Sequence, residues 1–546
     1  MKKVKMSIDD IYNNKLNCLK FGTDNLTEEQ LSIINSKYKR ILVDSVAGSG
    51  KTKTIEEYAK RNIDKRILYT TFSKSMVNEA TERFKGMSHV EIRTLHSLAY
   101  KHIGYKYKNK LTTELNIFDY AKCIGLFMEN SQQFEYISEL KKTFEIYLSS
   151  PYKSIDIMCK KCPSISIFKS NLKKIYTNSK NIKSKMKIEH NFYLKEWCLS
   201  NPDLKQYNVL LLDEIQDFNG AFLGIIPKLK NEKIIGVGDS RQNIFEFANT
   251  TNAFDILKDG WTDYKLTKSF RIGNTLAKII QDIIINKTND DNFQIQGYNK
   301  EQKIVKYINE DERHMVLCRY NSTIIKNVLN NIAKGKKCYI EGGNAKINFS
   351  FIEKMYNFKF KNKQHFTLKK YKNYEHMILF AKKSKDNNIL LCDTLIKTYR
   401  YGLGDILKNA ENSLVKEFKD ADIGFSTVHK IKGKTIYTPV LIGEDLINLG
   451  DIDIKENASE LNIFYVANTR CKGKICLSKT TLDYYLSPLS FLNNPNHKDR
   501  IKCNTKLNNH KNNLTTYEIE LIKRDGNLKK FDFIDEIAFD ESTEGV

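Results

Sequence analysis

No run of 18 consecutive apolar residues occurs anywhere in the 546-residue sequence, and Ser7-Ile8-Asp9-Asp10 breaks any apolar character after the opening Met-Lys-Lys-Val-Lys. Neither a membrane-spanning helix nor a secretory leader is expected, so the chain should stay in the compartment where it is made and have no membrane partner. A disulfide framework is missing as well, because the 11 cysteines are odd in number and scattered through a long chain. Such usage suits a reducing compartment, cytoplasm or nucleus. Cys159-Lys160-Lys161-Cys162 has metal-like spacing, but zinc would need two further ligands, for which Cys123, His190 and Cys198 are nearest in sequence. An exposed basic loop is the preferred reading of that stretch. Acidic charge is also in deficit: 65 Asp and Glu face 89 Lys and Arg, leaving a net charge of +24. With a pI near 9.3, a polyanion is the first partner to consider, nucleic acid ahead of anionic membrane. Lysine, asparagine and isoleucine dominate, so part of that charge reflects an AT-rich coding sequence, and charge alone decides little.

What is present is a chain long enough for several domains and, at 41% hydrophobic residues, apolar enough for real cores. The apolar run Arg40-Ile41-Leu42-Val43 leads into Asp44-Ser45-Val46-Ala47-Gly48-Ser49-Gly50-Lys51-Thr52, and a helix is expected from about Lys53. This reads as a phosphate-binding loop: Gly48, Ser49 and Gly50 let backbone N–H groups face inward, Lys51 reaches the β- and γ-phosphates, and the Thr52 hydroxyl holds magnesium. Ser45 stands where the strict pattern has glycine. A chance Gly-Ser-Gly loop is the plain alternative, against which the strand before and the helix after both argue. Just upstream, Leu26-Thr27-Glu28-Glu29-Gln30 opens an amphipathic helix with Thr27 as cap, Gln30 at the capping-box position, and Leu31, Ile34 and Tyr38 on one face. Its position gives Gln30 a second possible task, reading an adenine edge.

Strand-helix units then repeat: Ile67 to Phe72 followed by a helix from Ser73 to Phe84, and a third unit from Val90 through Thr94-Leu95-His96-Ser97. The repetition predicts a parallel sheet with helices on both faces and ligands at the loops after the strands. Residues 101–200 change to long, lysine-rich helical patterns. The fully apolar strand Val209-Leu210-Leu211-Leu212 ends in Asp213-Glu214, as metal-assisted phosphoryl chemistry requires, with Asp213 on magnesium and Glu214 orienting and deprotonating the attacking water. Ile234 to Gly238 is a further strand, after which Gln242 sits where it could sense a γ-phosphate. Phe245 and Phe247 then form either core packing or a stacking platform for bases. Leu266 to Arg271 supplies an aromatic and a cation, Phe270 and Arg271, that could flank a nucleotide.

In their order these motifs resemble those of the UvrD/Rep-type superfamily 1A DNA helicases, and the second half continues the likeness with Met315 to Asn321, Ser426 to Gly433 and Phe464 to Arg470. The wording of Thr94 to Tyr100 and of Leu461 to Ala467 is similar to the F-box DNA helicase branch, without an F-box signal at the N-terminus. The resemblance spans about residues 26–480. It implies an α/β fold of two tandem RecA-like P-loop motor domains with mostly helical inserted subdomains: 1–100 with 201–290, 291–348 with 421–484, and insertions 101–200 and a reduced 349–420. Beyond it, the Asn- and Lys-rich tail 485–546 is expected to be partly disordered, with a hairpin near Arg524-Asp525-Gly526-Asn527. The resemblance further implies ATP and Mg2+ as cofactors, with Lys51, Thr52, Asp213, Glu214, Gln242, Arg271 and Arg470 at the ATPase centre and Gln30 and Phe270 holding the adenine. Phe72, His96, Phe245, Phe247, Arg319 and His429 would lie along single-stranded DNA. The implied activity is ATP-dependent 3′→5′ unwinding in repair, recombination or replication, on single-stranded and tailed duplex DNA, with protein partners reached through the tail or insertions. The alternative is a strand-stimulated translocase that remodels protein–DNA complexes or serves in defence. Departures are Ala248, where the family often has arginine, and Thr435, where it has a glutamate.

Overall fold

The computed structural model describes residues 26–113, 115–127, 131–244, 253–288, 290–343, 349–369, 371–384, 387–446 and 454–486. The expected tail hairpin, Phe245, Phe247 and Ala248 lie outside them. The chain divides into two compact units, 1–266 and 267–546.

In the first unit, β1 (Arg40–Ser45), β2 (Ile67–Thr71), β3 (Val90–Thr94), β4 (Val209–Asp213), β5 (Lys233–Gly238) and β6 (Thr262–Leu266) form one six-stranded sheet in the order β3-β2-β4-β5-β1-β6. Every pairing is parallel. Successive side chains of a strand point to opposite faces, and the two cores show this directly. Ile41, Val43, Ile67, Tyr69, Val209, Leu211, Ile235 and Val237 belong to one cluster, whereas Leu42, Leu68, Leu210, Leu212 and Ile234 belong to the other. The second cluster continues without a break into the stretch between β3 and β4, through Phe144, Leu172, Phe192 and Trp197. Among the described residues that stretch is helical, with no named strand. Its helices therefore use one face of the sheet as their floor.

The helix opened by Thr27, α1 (Glu28–Ile34), has the expected capping box. Its buried residues are Gln30, Ile33 and Ile34 rather than the face Leu31, Ile34 and Tyr38, because the helix stops at Ile34 and leaves Tyr38 exposed beyond it. The phosphate-loop helix, α2 (Lys51–Arg61), begins two residues earlier than Lys53. Cys159-Lys160-Lys161-Cys162 is not a loop but the last turn of a helix, Ile155–Lys161, with Cys159 buried and Cys162 exposed. The Met158 carbonyl accepting from the Cys162 N–H keeps the stretch helical to its end. No described helix is long and apolar enough to cross a membrane.

The second unit contains a seven-stranded sheet. Its strands are β9 (Lys303–Val305), β10 (His314–Cys318), β11 (Cys338–Ile340), β12 (Leu414–Val415), β13 (Ile423–Thr427), β14 (Val440–Ile442) and β15 (Lys474–Cys476), in the order β12-β11-β13-β10-β14-β15-β9. It too is parallel throughout. Helices between residues 349 and 413 join the core of β10, β11 and β13 through Met355, Leu368, Met377 and Ile396. The α/β class with two parallel sheets and helical insertions is as expected. A two-stranded pair, β7 (Lys268–Ser269) with β8 (Gln296–Gly297), also lies in this unit. The division at 266 and 267 precedes the limit of 290 drawn from sequence, because the helix Asn274–Thr288 packs on β8 and on the helix Ile454–Asn468 within the second unit.

Candidate active site

In the first unit the loops after β1, β4 and β5 bring the phosphate loop, the acidic pair and Gln242 together, since β5 runs between β1 and β4. Gly48 and Gly50 have φ of 75° and 81°, in the left-handed region that favours glycine. At Gly50 space is short as well, for a Cβ would stand 2.8 Å from Gln30 Nε2. That amide donates to the Ser49 carbonyl at 3.3 Å, so buried Gln30 fastens α1 to the phosphate loop. Two features fit the loop to an anionic phosphate. Gly50 caps α2 without a side-chain hydrogen bond, leaving the helix N-terminus to an anion, and the buried Ser49 hydroxyl has no hydrogen-bond partner.

Lys51 Nζ stands 3.1 Å from Glu214 Oε1. Burial opposes the charge on Lys51, but Glu214, Asp239 and Asp213 outweigh it and raise its pKa, so the ammonium is firmly retained. Asp213 Oδ2 accepts from Thr52 Oγ1 at 3.1 Å and from Tyr69 OH at 2.6 Å. Burial, followed by the neighbouring charge of Glu214, pushes Asp213 up to about 6 against the opposing effects of Lys51, Tyr69 and Thr52. Thr52 and Asp213 are thus adjacent hard oxygen donors, the type magnesium prefers. Glu214 adopts φ 55°, unusual for a residue with a side chain, and its Oε2 accepts from Gln216 Nε2 at 2.6 Å. Gln242 Nε2 donates to Asp239 Oδ2 at 2.6 Å. Asp44, whose carboxyl burial shifts upward, accepts from the Ser240 N–H and hydroxyl at 3.0 and 2.9 Å. That pair ties the base of the phosphate loop to the Gln242 loop. Tyr69, Gln216, Asp239 and Asp44 were not singled out from sequence, because the contacts that matter join separate strand ends.

The other expected residues are more dispersed. Phe72 is 42% exposed in the loop after β2. His96 is half-buried, with Nε2 at 3.1 Å from Asn191 Oδ1 and its ring edge-on to Tyr193. Burial lowers its pKa despite Asn191, so the neutral ring is favoured. In the second unit, Phe270 is 42% exposed and its ring centroid lies 5.9 Å from that of Tyr298. Arg271 donates from Nε to Thr435 Oγ1 and from Nη1 to the Thr469 carbonyl, both at 3.1 Å. Thr435, in place of the family's glutamate, is therefore an acceptor for an arginine. Arg470 is buried, donating from Nε to the Val466 carbonyl at 2.9 Å and from Nη2 to Thr469 Oγ1 at 3.1 Å. Arg319, expected along DNA, makes a two-pronged pair with Glu460 at 2.6 to 3.2 Å. His429 lies half-buried in the short helix Val428–Ile431 after β13. Among the described residues no group of three His, Cys, Asp or Glu could hold a metal ion, Cys159 and Cys162 included.

Residues 26–260 match the model of the UvrD/REP helicase N-terminal domain. The chain is 25% identical over 512 residues to F-box DNA helicase 1 of Gallus gallus, covering 85% of this chain and 50% of that protein. It is 24% identical over 518 residues to F-box DNA helicase protein 1 of Schizosaccharomyces pombe, covering 85% of this chain and 58% of that one. The chain thus spans between 50% and 58% of the length of these relatives. The resemblance to UvrD/Rep-type helicases, and to the F-box branch by motif wording, is borne out.

Proposed function

We propose that this UvrD-like chain is an ATP-dependent DNA helicase, moving 3′→5′ on single-stranded DNA and unwinding tailed duplexes in repair, recombination or replication. The observation that carries the reading is the meeting of Lys51, Thr52, Asp213 and Glu214 at the ends of β1 and β4, in a chain similar to F-box DNA helicases over 85% of its length.

In this reading the N–H groups at Gly48, Ser49 and Gly50 and the start of α2 cradle the phosphates, and Lys51 turns its charge from Glu214 to the β- and γ-oxygens. Thr52 and Asp213 would hold magnesium, whose charge would offset that of the phosphates. Glu214, once Lys51 is engaged, orients a water and takes its proton, and Gln242 reports whether the γ-phosphate is present. Arg271 and Arg470 supply cations to the hydrolysis, and Gln30 and Phe270 hold the adenine. Phe72, His96, Phe245, Phe247, Arg319 and His429 serve the DNA path. For Arg319 to do so, its guanidinium must leave Glu460 or keep a donor beyond that pair.

The test is unwinding of duplexes with 3′ or 5′ single-stranded tails, beside ATP hydrolysis with and without single strands. Strand-stimulated hydrolysis with unwinding from the 3′ tail is expected. Stimulated hydrolysis without unwinding from either tail would leave a translocase that remodels protein–DNA complexes. Hydrolysis indifferent to DNA would overturn both.

A further inference from the structure

Beyond the groups assigned to ATP and magnesium, one fully buried side chain joins two parts of the site. Gln216 lies in the single turn Ile215–Asp217 that follows Glu214. Both ends of its amide are used: Nε2 donates to Glu214 Oε2 at 2.6 Å, and Oε1 accepts from the Asp239 N–H at 3.1 Å. Asp239 Oδ2 accepts from Gln242 Nε2 at 2.6 Å, while the other oxygen of Glu214 faces Lys51 Nζ at 3.1 Å. Lys51, Glu214, Gln216, Asp239 and Gln242 therefore form one unbroken polar chain from the phosphate loop to the turn after β5. The backbone is shaped to admit the amide, for a Cβ on Gly238 would come within 2.4 Å of Gln216 Oε1. Glu214 has φ 55°, a conformation that persists only where its surroundings hold it.

We infer that Gln216 is a positioning residue, tying the aim of the Glu214 carboxylate to the state of the Gln242 turn. The inference rests on reading Glu214 as the base and Gln242 as the sensor of the γ-phosphate. An amide that merely filled space could be replaced by an apolar side chain of similar length; one that transmits position could not. With both links intact, a shift of the Gln242 turn moves Asp239, and through its N–H and Gln216 it redirects the oxygen of Glu214.

The test uses the full chain with Gln216→Met, Gln216→Glu, Gln242→Ala and the Gln216→Met/Gln242→Ala double variant. Binding of a fluorescent ATP analogue with magnesium is measured beside hydrolysis stimulated by oligo-dT. Gln216→Met should bind the analogue within about threefold of the parent while kcat falls about 10- to 100-fold at unchanged KM, the pattern of an interaction that acts on the chemical step. Gln216→Glu keeps the shape and the acceptor for the Asp239 N–H but loses the donor to Glu214. It should lower kcat likewise, and it carries the test if the Met variant melts early. In the double variant kcat should lie within about threefold of the worse single, since residues acting through one network are not additive. A kcat within about twofold of the parent in either Gln216 variant, a rise in KM alone, or losses that multiply in the double variant would overturn the inference. A parent protein without strand-stimulated hydrolysis would instead remove the functional reading on which it rests.

Discussion

Lys195 is buried in the helical stretch, and among the described residues no carboxylate hydrogen-bonds its ammonium, the charge of Glu196 acting only from a distance; Nζ donates to the carbonyls of Ser150 and Tyr152, each at 2.7 Å, and lies 4.6 Å from the centre of the Tyr147 ring. Carbonyls and a ring face replace only part of the lost hydration, so burial brings its pKa down from 10.5 to about 8. The sign follows from proton counting. Between about pH 8 and 10.5 the unfolded chain holds the proton and the folded one has released it, so stability rises with pH across that window. Linkage between those two values makes this one group contribute about 2.5 kcal/mol more stability at pH 10 than at pH 7, with about half of the gain in place by pH 9. Lys195→Met removes the titration and cancels the pH response of every other group when the two proteins are compared. The chain has 2 tryptophans; Trp197 is buried two residues away and stacks on Phe222. In a Trp261→Phe background, Trp197 fluorescence thus reports unfolding of the insertion in urea. The expected result is a stability difference, Lys195 protein minus Met variant, that climbs by about 2.5 kcal/mol from pH 7 to pH 10. A difference that stays flat or falls over that range would refute the argument and mean that the ammonium is hydrated in the folded protein.

Glu214→Gln should bind ATP with magnesium yet turn it over at least about 100-fold more slowly, the usual scale for loss of a general base; near-normal turnover would remove Glu214 from the mechanism. Arg470→Ala should keep nucleotide binding while losing strand-stimulated hydrolysis. Because Arg470 is buried on the Val466 carbonyl and the Thr469 hydroxyl, the melting temperature is read alongside, and equal loss of binding, turnover and stability would make it structural. Binding to single strands should weaken steeply with salt, each neutralised phosphate contributing about −0.7 to the log–log slope; a flat response would contradict the charge argument. Phe245→Ala or Phe247→Ala should cost about 1–3 kcal/mol of single-strand affinity and abolish unwinding while basal hydrolysis survives. Early melting with proportional loss of every activity would instead make the rings core.

The contrast between what could be read from the chain and what could not has a physical cause. The phosphate loop, the Asp213-Glu214 pair and the first parallel sheet were legible because each is written in a few neighbouring residues: an apolar run fixes a strand, and the polar residues that follow must stand at its end; the second sheet was expected only from the family resemblance. The partners that shape the chemistry come from elsewhere in the chain. Tyr69 reaches Asp213 across 144 positions and Asp44 meets Ser240 across 196; nothing local in an apolar strand marks one tyrosine as the residue whose hydroxyl will find an acid. Arg319 shows the converse. The family resemblance placed it along DNA, and in the structure Glu460, 141 residues on, takes its guanidinium. A charge on a partly buried surface is drawn to whichever opposite charge the fold delivers, and local spacing does not show that partner. Gln216 combines both cases. Within the acidic motif it reads as one more polar residue after the Asp213-Glu214 pair, and only the parallel pairing of β4 with β5 at Asp213 and Val237 brings the Asp239 N–H within reach of its amide. The groups proposed to act on a nucleotide were therefore visible from the chain, while the partners that hold them depend on strand order.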